Sequence, residues 1–77
     1  MPTVLRIKGY RIGFFSADGD EPPHVHADKA GNQAKFWIDP VQLAKNAGFS
    51  RHELNEVHDI LTEHQQELLR AWHEYFG

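Results

Sequence analysis

The stretch that most constrains this chain runs from Ser50 to its end. Ser50 and Glu53 stand at capping-box spacing, and Phe49 just before them can staple onto Leu54. At 100° per residue, Leu54, Val57, Leu61, Leu68, Trp72 and Tyr75 fall within about 40° of Leu61. Arg51, His52, Asn55, Glu56, Asp59, Glu63, Gln66, Glu67, Arg70 and Glu74 fall on the far side. The pattern predicts one long amphipathic helix within residues 50–76. Its apolar stripe has to be covered by something. In 77 residues without a cysteine, that cover cannot be a disulfide scaffold or a Cys-type zinc site. A chain this short buries only about 60–65% of its unfolded surface. The cover must therefore be a second element with an apolar face.

Residues 1–39 supply it. Thr3 to Ile7 alternates and is rich in β-branched residues, Lys8-Gly9 is a tight turn, and Tyr10 to Phe15 reads as a second strand antiparallel to the first. Ser16 to Pro23 is a loop by composition, and its Asp18-Gly19-Asp20-Glu21 run reads as a solvated turn. His24 to Asp28 and Gln33 to Ile38 are the third and fourth strands, joined across Lys29-Ala-Gly-Asn32. Asp39-Pro40 with Gln42 can open a short helix over 40–47; the competing reading is an extended linker. The expected fold is α+β: one domain over 1–77, a four-stranded antiparallel meander covered on one face by the long helix.

The helix-covered face takes the more apolar set, Leu5, Ile7, Ile12, Phe14, Val25, Ala27, Phe36 and Ile38. The other face then carries Arg6, Arg11, Phe15, His24, His26, Asp28, Lys35 and Trp37. Two prolines, Pro22 and Pro23, stiffen the approach to His24 and His26, and residues two apart on a strand share a face.

Three chemistries suit that set, beside the plain alternative of a solvated sheet face. His24 and His26 can share acid and base work on an RNA 2′-hydroxyl, with Arg6, Arg11 and Lys35 as cations and Phe15 and Trp37 as stacking platforms. They can instead offer two ligands to a divalent transition metal, with Asp28 as the third if the strand curves. Or Phe15 and Trp37 can dock a protein partner, a small cognate protein or a second copy of the chain. Only the metal reading requires a cofactor.

Charge narrows the partners. Net charge is −3; residues 1–38 carry five Lys/Arg against four Asp/Glu, residues 39–77 three against seven. An anionic partner therefore belongs to the first half. The helix-turn-helix outline around Gly48-Phe49-Ser50 is a poor DNA reader, since its second helix is too long and acidic outside. No apolar run reaches the length of a membrane span or signal segment, so a cytoplasmic location is expected.

Met1-Pro-Thr-Val, Gly19-Asp-Glu-Pro-Pro-His-Val-His26, Ala34-Lys-Phe-Trp37, Gly48-Phe-Ser50 and Ala71-Trp-His-Glu-Tyr-Phe-Gly77 together resemble a small standalone bacterial domain-of-unknown-function family. The resemblance covers nearly the whole chain. Members are often encoded beside another small uncharacterised domain, and the pair is suspected of being a toxin–antitoxin module. Pro22, His24 and His26 match the family's Pro-x-His-x-His stretch, and Lys35, Phe36 and Trp37 its Lys-Phe-Trp strand. The resemblance carries over no catalytic role. An acidic chain departs from the basic character of ribonuclease toxins and equally suits a neutralising partner.

Overall fold

Positive-φ pairs set the first turns of the sheet. Lys8 (φ 53°) with Gly9 (φ 84°), and Ala30 (φ 51°) with Gly31 (φ 84°), each make a two-residue hairpin turn of the hand that matches strand twist. The computed structural model describes residues 3–77, so Met1 and Pro2 of the first motif lie outside the described residues. It contains strands β1 (Thr3–Ile7), β2 (Tyr10–Gly13), β3 (His24–Lys29), β4 (Asn32–Ile38) and β5 (Val41–Ala47), then helices α1 (Arg51–Glu63) and α2 (Gln65–Phe76). The strands form one antiparallel sheet in the order β1-β2-β3-β4-β5.

The sheet thus has five strands, and residues 40–47 are neither a helix nor a linker. Ile38 pairs with Val41, so Asp39 and Pro40 are a two-residue turn joined by a cis peptide bond. Without β5, β4 would expose a full row of backbone donors and acceptors. Pairing satisfies that row, a long-range gain that outweighs the local capping preference of Asp39 and Pro40. After β5 the chain turns through Gly48 (φ 107°), and the Asn46 side chain both donates to the Phe49 carbonyl and accepts from its N–H, at 3.0 Å each.

The capping box forms at the start of α1: Ser50 Oγ accepts from Glu53 N–H (3.1 Å), and Glu53 Oε1 accepts from Ser50 N–H (2.9 Å). The expected single helix is broken at His64, which leaves helical geometry (φ −105°, ψ 16°). The cause is tertiary, since Gln65 Nε2 donates to the Ile38 carbonyl at the end of β4 (2.8 Å). The break redirects α2 so that its last turns reach the β2–β3 end of the sheet.

The core is made by Ile12, Phe14, Val25, Ala27, Phe36 and Ile38 from the predicted face, joined by Tyr10, Ala34, Phe49, Val57, Ile60, Leu61, Leu68 and Trp72. Leu5 and Ile7 pack at its margin. Tyr75, which the helical stripe places toward the core, is 48% exposed, and Phe76 instead packs against Trp72, ring centroids 4.2 Å apart.

Tyr10 ties the sheet to α1. Its ring meets Phe49 edge-on (5.7 Å), and its hydroxyl donates to Glu56 Oε1 (2.7 Å). Burial and the Glu56 carboxylate push the phenol up to about 12. The unfolded phenol titrates near 10. Between these values the unfolded chain loses its proton first, so this group's contribution is whole below pH 10 and drains away toward pH 12. Tyr10→Phe is expected to cost about 1 kcal/mol at pH 7 and to flatten the alkaline loss, as measured by urea unfolding at pH 7 and from pH 10 to 12.

Candidate metal centre

His24 opens β3 at the end of the sheet. Register places it opposite Trp37, and His26 opposite Lys35, so both histidines do share the face away from the main core. The expectation that both look out into solvent fails for His24, which is 0% exposed. Two neighbours enclose it. The 3-10 turn Ser16–Asp20 brings Asp18 against the ring, and Trp72 arrives from α2 with its centroid 5.2 Å away. Trp37 and His26 flank it at 5.6 and 5.3 Å.

The ring's orientation is set by backbone. Nδ1 lies 3.0 Å from the Pro22 carbonyl, which can only accept, so Nδ1 carries a proton. In the neutral imidazole, Nε2 is then a bare lone pair. It lies 3.2 Å from Asp18 Oδ2 and 3.7 Å from Glu21 Oε1, yet it is buried without a hydrogen-bond partner. A lone pair pressed against a carboxylate oxygen in a water-poor site is unfavourable unless a proton or a metal cation lies between them.

Asp18 is the residue that completes the cluster. Its Oδ2 accepts from the Phe15 N–H (2.8 Å) and from His26 Nε2 (3.1 Å). The turn is pulled tight against α2: a Cβ on Gly19 would lie 2.7 Å from the Phe76 ring. Burial works against the Asp18 carboxylate, but the Phe15 N–H and the two imidazoles outweigh it and hold the carboxyl below its ordinary range. For His26, burial lowers the imidazole, Asp18 opposes the shift, and His24 and Lys35 add to it.

One ligand atom from each of Asp18, His24 and His26 lies within 4.8 Å of the other two. Zn–N and Zn–O bonds of about 2.0–2.1 Å set tetrahedral ligand atoms roughly 3.3–3.4 Å apart. The observed 3.1 and 3.2 Å contacts are that spacing slightly contracted. The Nδ1–H to carbonyl bond of His24 is also the outer-shell support that metal-binding histidines commonly have.

The other sequence-derived residues sort differently. Asp28 does not join the histidines: it accepts from Arg11 Nη2 (2.9 Å) and Nε (3.2 Å) across the β2–β3 pair. Lys35 donates to Glu21 Oε1 (2.6 Å) and lies 4.7 Å from the centre of the Trp37 ring. That bond holds the Glu21 carboxyl below its ordinary value. Phe15 stands exposed, edge-on to His26 at 4.6 Å. Arg6 is exposed on β1, with Arg11 between it and the cluster in register. Trp37 is half-buried beside His24. Asp18 was missed because its loop looks solvated. The usable signal was its spacing three residues after Phe15, at which a carboxylate can fold back onto a backbone N–H.

No helix among the described residues is long and apolar enough to cross a membrane. No curated protein matches this chain, and no solved structure does. A family model does match, over residues 9–73, which includes every strand but the first, all three clustered residues and most of α2. Its description is a domain of unknown function, and the chain belongs to that family, DUF4160.

Proposed function

We propose that this chain is a small metal-binding domain that holds one divalent transition-metal ion on Asp18 Oδ2, His24 Nε2 and His26 Nε2. The observation that carries this reading is the His24 Nε2 lone pair, wholly buried, aimed at a carboxylate and without a hydrogen bond. Two imidazoles and one carboxylate suit zinc(II) or iron(II) and leave coordination positions for water or a substrate. The bound ion would act as a Lewis acid on whatever oxygen takes those positions.

The same geometry argues against sharing acid and base work between His24 and His26 on RNA. A fully enclosed imidazole cannot meet a 2′-hydroxyl, and Arg11 is already paired with the Asp28 carboxylate. A role in a two-gene toxin–antitoxin module is supported by the family resemblance alone and is compatible with a metal-dependent member of such a pair.

Protein purified without a histidine tag, stripped with chelator and equilibrated with zinc(II) or cobalt(II), is expected to retain about one ion per chain after desalting. Asp18→Asn and His26→Ala, both folded by circular dichroism, are expected to retain a small fraction of that. Metal-free parent protein after equilibration, or full uptake by Asp18→Asn, would remove the reading.

A further inference from the structure

On the open face of the sheet, His26, Lys35 and Lys45 stand in one row across β3, β4 and β5. Like charges directly opposite on neighbouring strands destabilise a sheet. Lys35 is drawn toward Glu21, but Lys45 has no ion pair or hydrogen bond among the described residues. The row borders a cavity of about 320 Å³, lined by His26, Gln33, Ala34, Lys35, Lys45 and Ala47. Ala34 and Ala47 leave it roomy, Gln33 can add amide donors, and His26 belongs to both cavity and metal cluster.

We infer that this cavity is an anion subsite that seats the phosphate group of a small ligand between Lys35 and Lys45, with one of its oxygens reaching the metal beside His26. The inference rests on the metal-binding reading, because the ion supplies the third contact. Two ammonium groups and a carboxamide match a phosphate in charge and in donor count. The volume lies at the small end of ligand pockets and suits a phosphomonoester rather than a polymer. A polynucleotide would also have to run beside a chain half with seven Asp/Glu against three Lys/Arg. The phosphate would supply the counter-charge that Lys45 lacks, while Lys35 would share its ammonium between the phosphate and Glu21.

The test uses the full chain, ¹⁵N-labelled and loaded with one equivalent of zinc, with excess removed. Inorganic phosphate is titrated in one arm and a single-stranded oligoribonucleotide in another. Phosphate is expected to give saturable shifts centred on the amides of Gln33–Lys35 and Lys45–Ala47. In Lys45→Met, its dissociation constant is expected to rise roughly tenfold or more, as for loss of a charged hydrogen bond. Zinc stoichiometry should be unchanged in that variant. Its ligand-free form should melt no lower than the parent, because the opposed charges are gone. Zinc uptake without phosphate shifts, phosphate shifts untouched by Lys45→Met, or a response to the oligonucleotide alone would each overturn the subsite and leave the metal reading standing. If the chain takes up no zinc, the metal reading fails first and the three-point site with it.

Discussion

Zinc(II) at a hundredfold excess over its dissociation constant is expected to raise the melting temperature of this chain by roughly 10–20 °C. A ligand at that excess adds about 2.7 kcal/mol to the folded state, and a domain of this size shifts by about 4–8 °C per kcal/mol. Chelator should reverse the shift, and Asp18→Asn should abolish it. The pH dependence has a definite sign. Metal binding needs a neutral His26 whose Nε2 gives up its proton to face the ion, with the remaining proton on Nδ1, and Asp18 ionised. Because the folded His26 sits below its ordinary value, it already lacks a charge at neutral pH, and the zinc effect is whole there. It fades as acid protonates His26. The metal-free protein moves the same way: below pH 6.5 the unfolded chain takes up the histidine proton before the folded one does, so stability falls with pH until the depressed folded value is passed. Calorimetric melts at pH 7.5, 6.5 and 5.5, with zinc and with chelator, check both limbs. A zinc shift that is unchanged across that range would contradict coordination by His26.

Trp72→Ala is expected to be the most damaging single core change. Trp72 is nearly buried and meets Phe14, Phe76 and His24 with ring centroids 5.5, 4.2 and 5.2 Å away. Emptying such a site costs about 3–5 kcal/mol. A chain of this length has a total stability of about 4–12 kcal/mol, so the variant should be largely unfolded on modest warming. Trp72→Phe keeps an aromatic wall and is expected to stay folded while opening a gap beside His24. Its zinc dissociation constant should rise even though no ligand atom has been touched. Urea midpoints and zinc titrations of both variants check this; an alanine variant that melts with the parent would show that Trp72 is not the lid on His24.

What could be read without coordinates follows from how far apart the deciding partners lie. Ser50 and Glu53 are three residues apart, and their capping box formed as read. Strands β1 to β4 were legible from alternation and from Lys8-Gly9 and Ala30-Gly31, again local signals. Strand β5 was not. Asp39-Pro40 satisfies the local grammar of a helix start equally well, and only the unpaired edge of β4 decides between the two. The break at His64 carries no glycine or proline; it is made by Gln65 reaching a carbonyl 27 positions away. The same division runs through the proposed metal centre. His24 and His26 share a face because they are two apart. The third ligand was assigned to Asp28 by extending that alternation, but strand pairing gives Asp28 to Arg11, and the loop delivers Asp18.

The closure of His24 has a further consequence for when the site can exist. Its walls come from residues 15–26, from Trp37 and from Trp72 in α2. A nascent chain will have exposed the histidines and Asp18 long before α2 emerges from the ribosome. Until α2 docks the half-made pocket is wet, and a metal ion held there would exchange freely with the medium. In the proposed reading, tight capture would become available only once Trp72 has closed over His24, so occupancy would report the docking of α2.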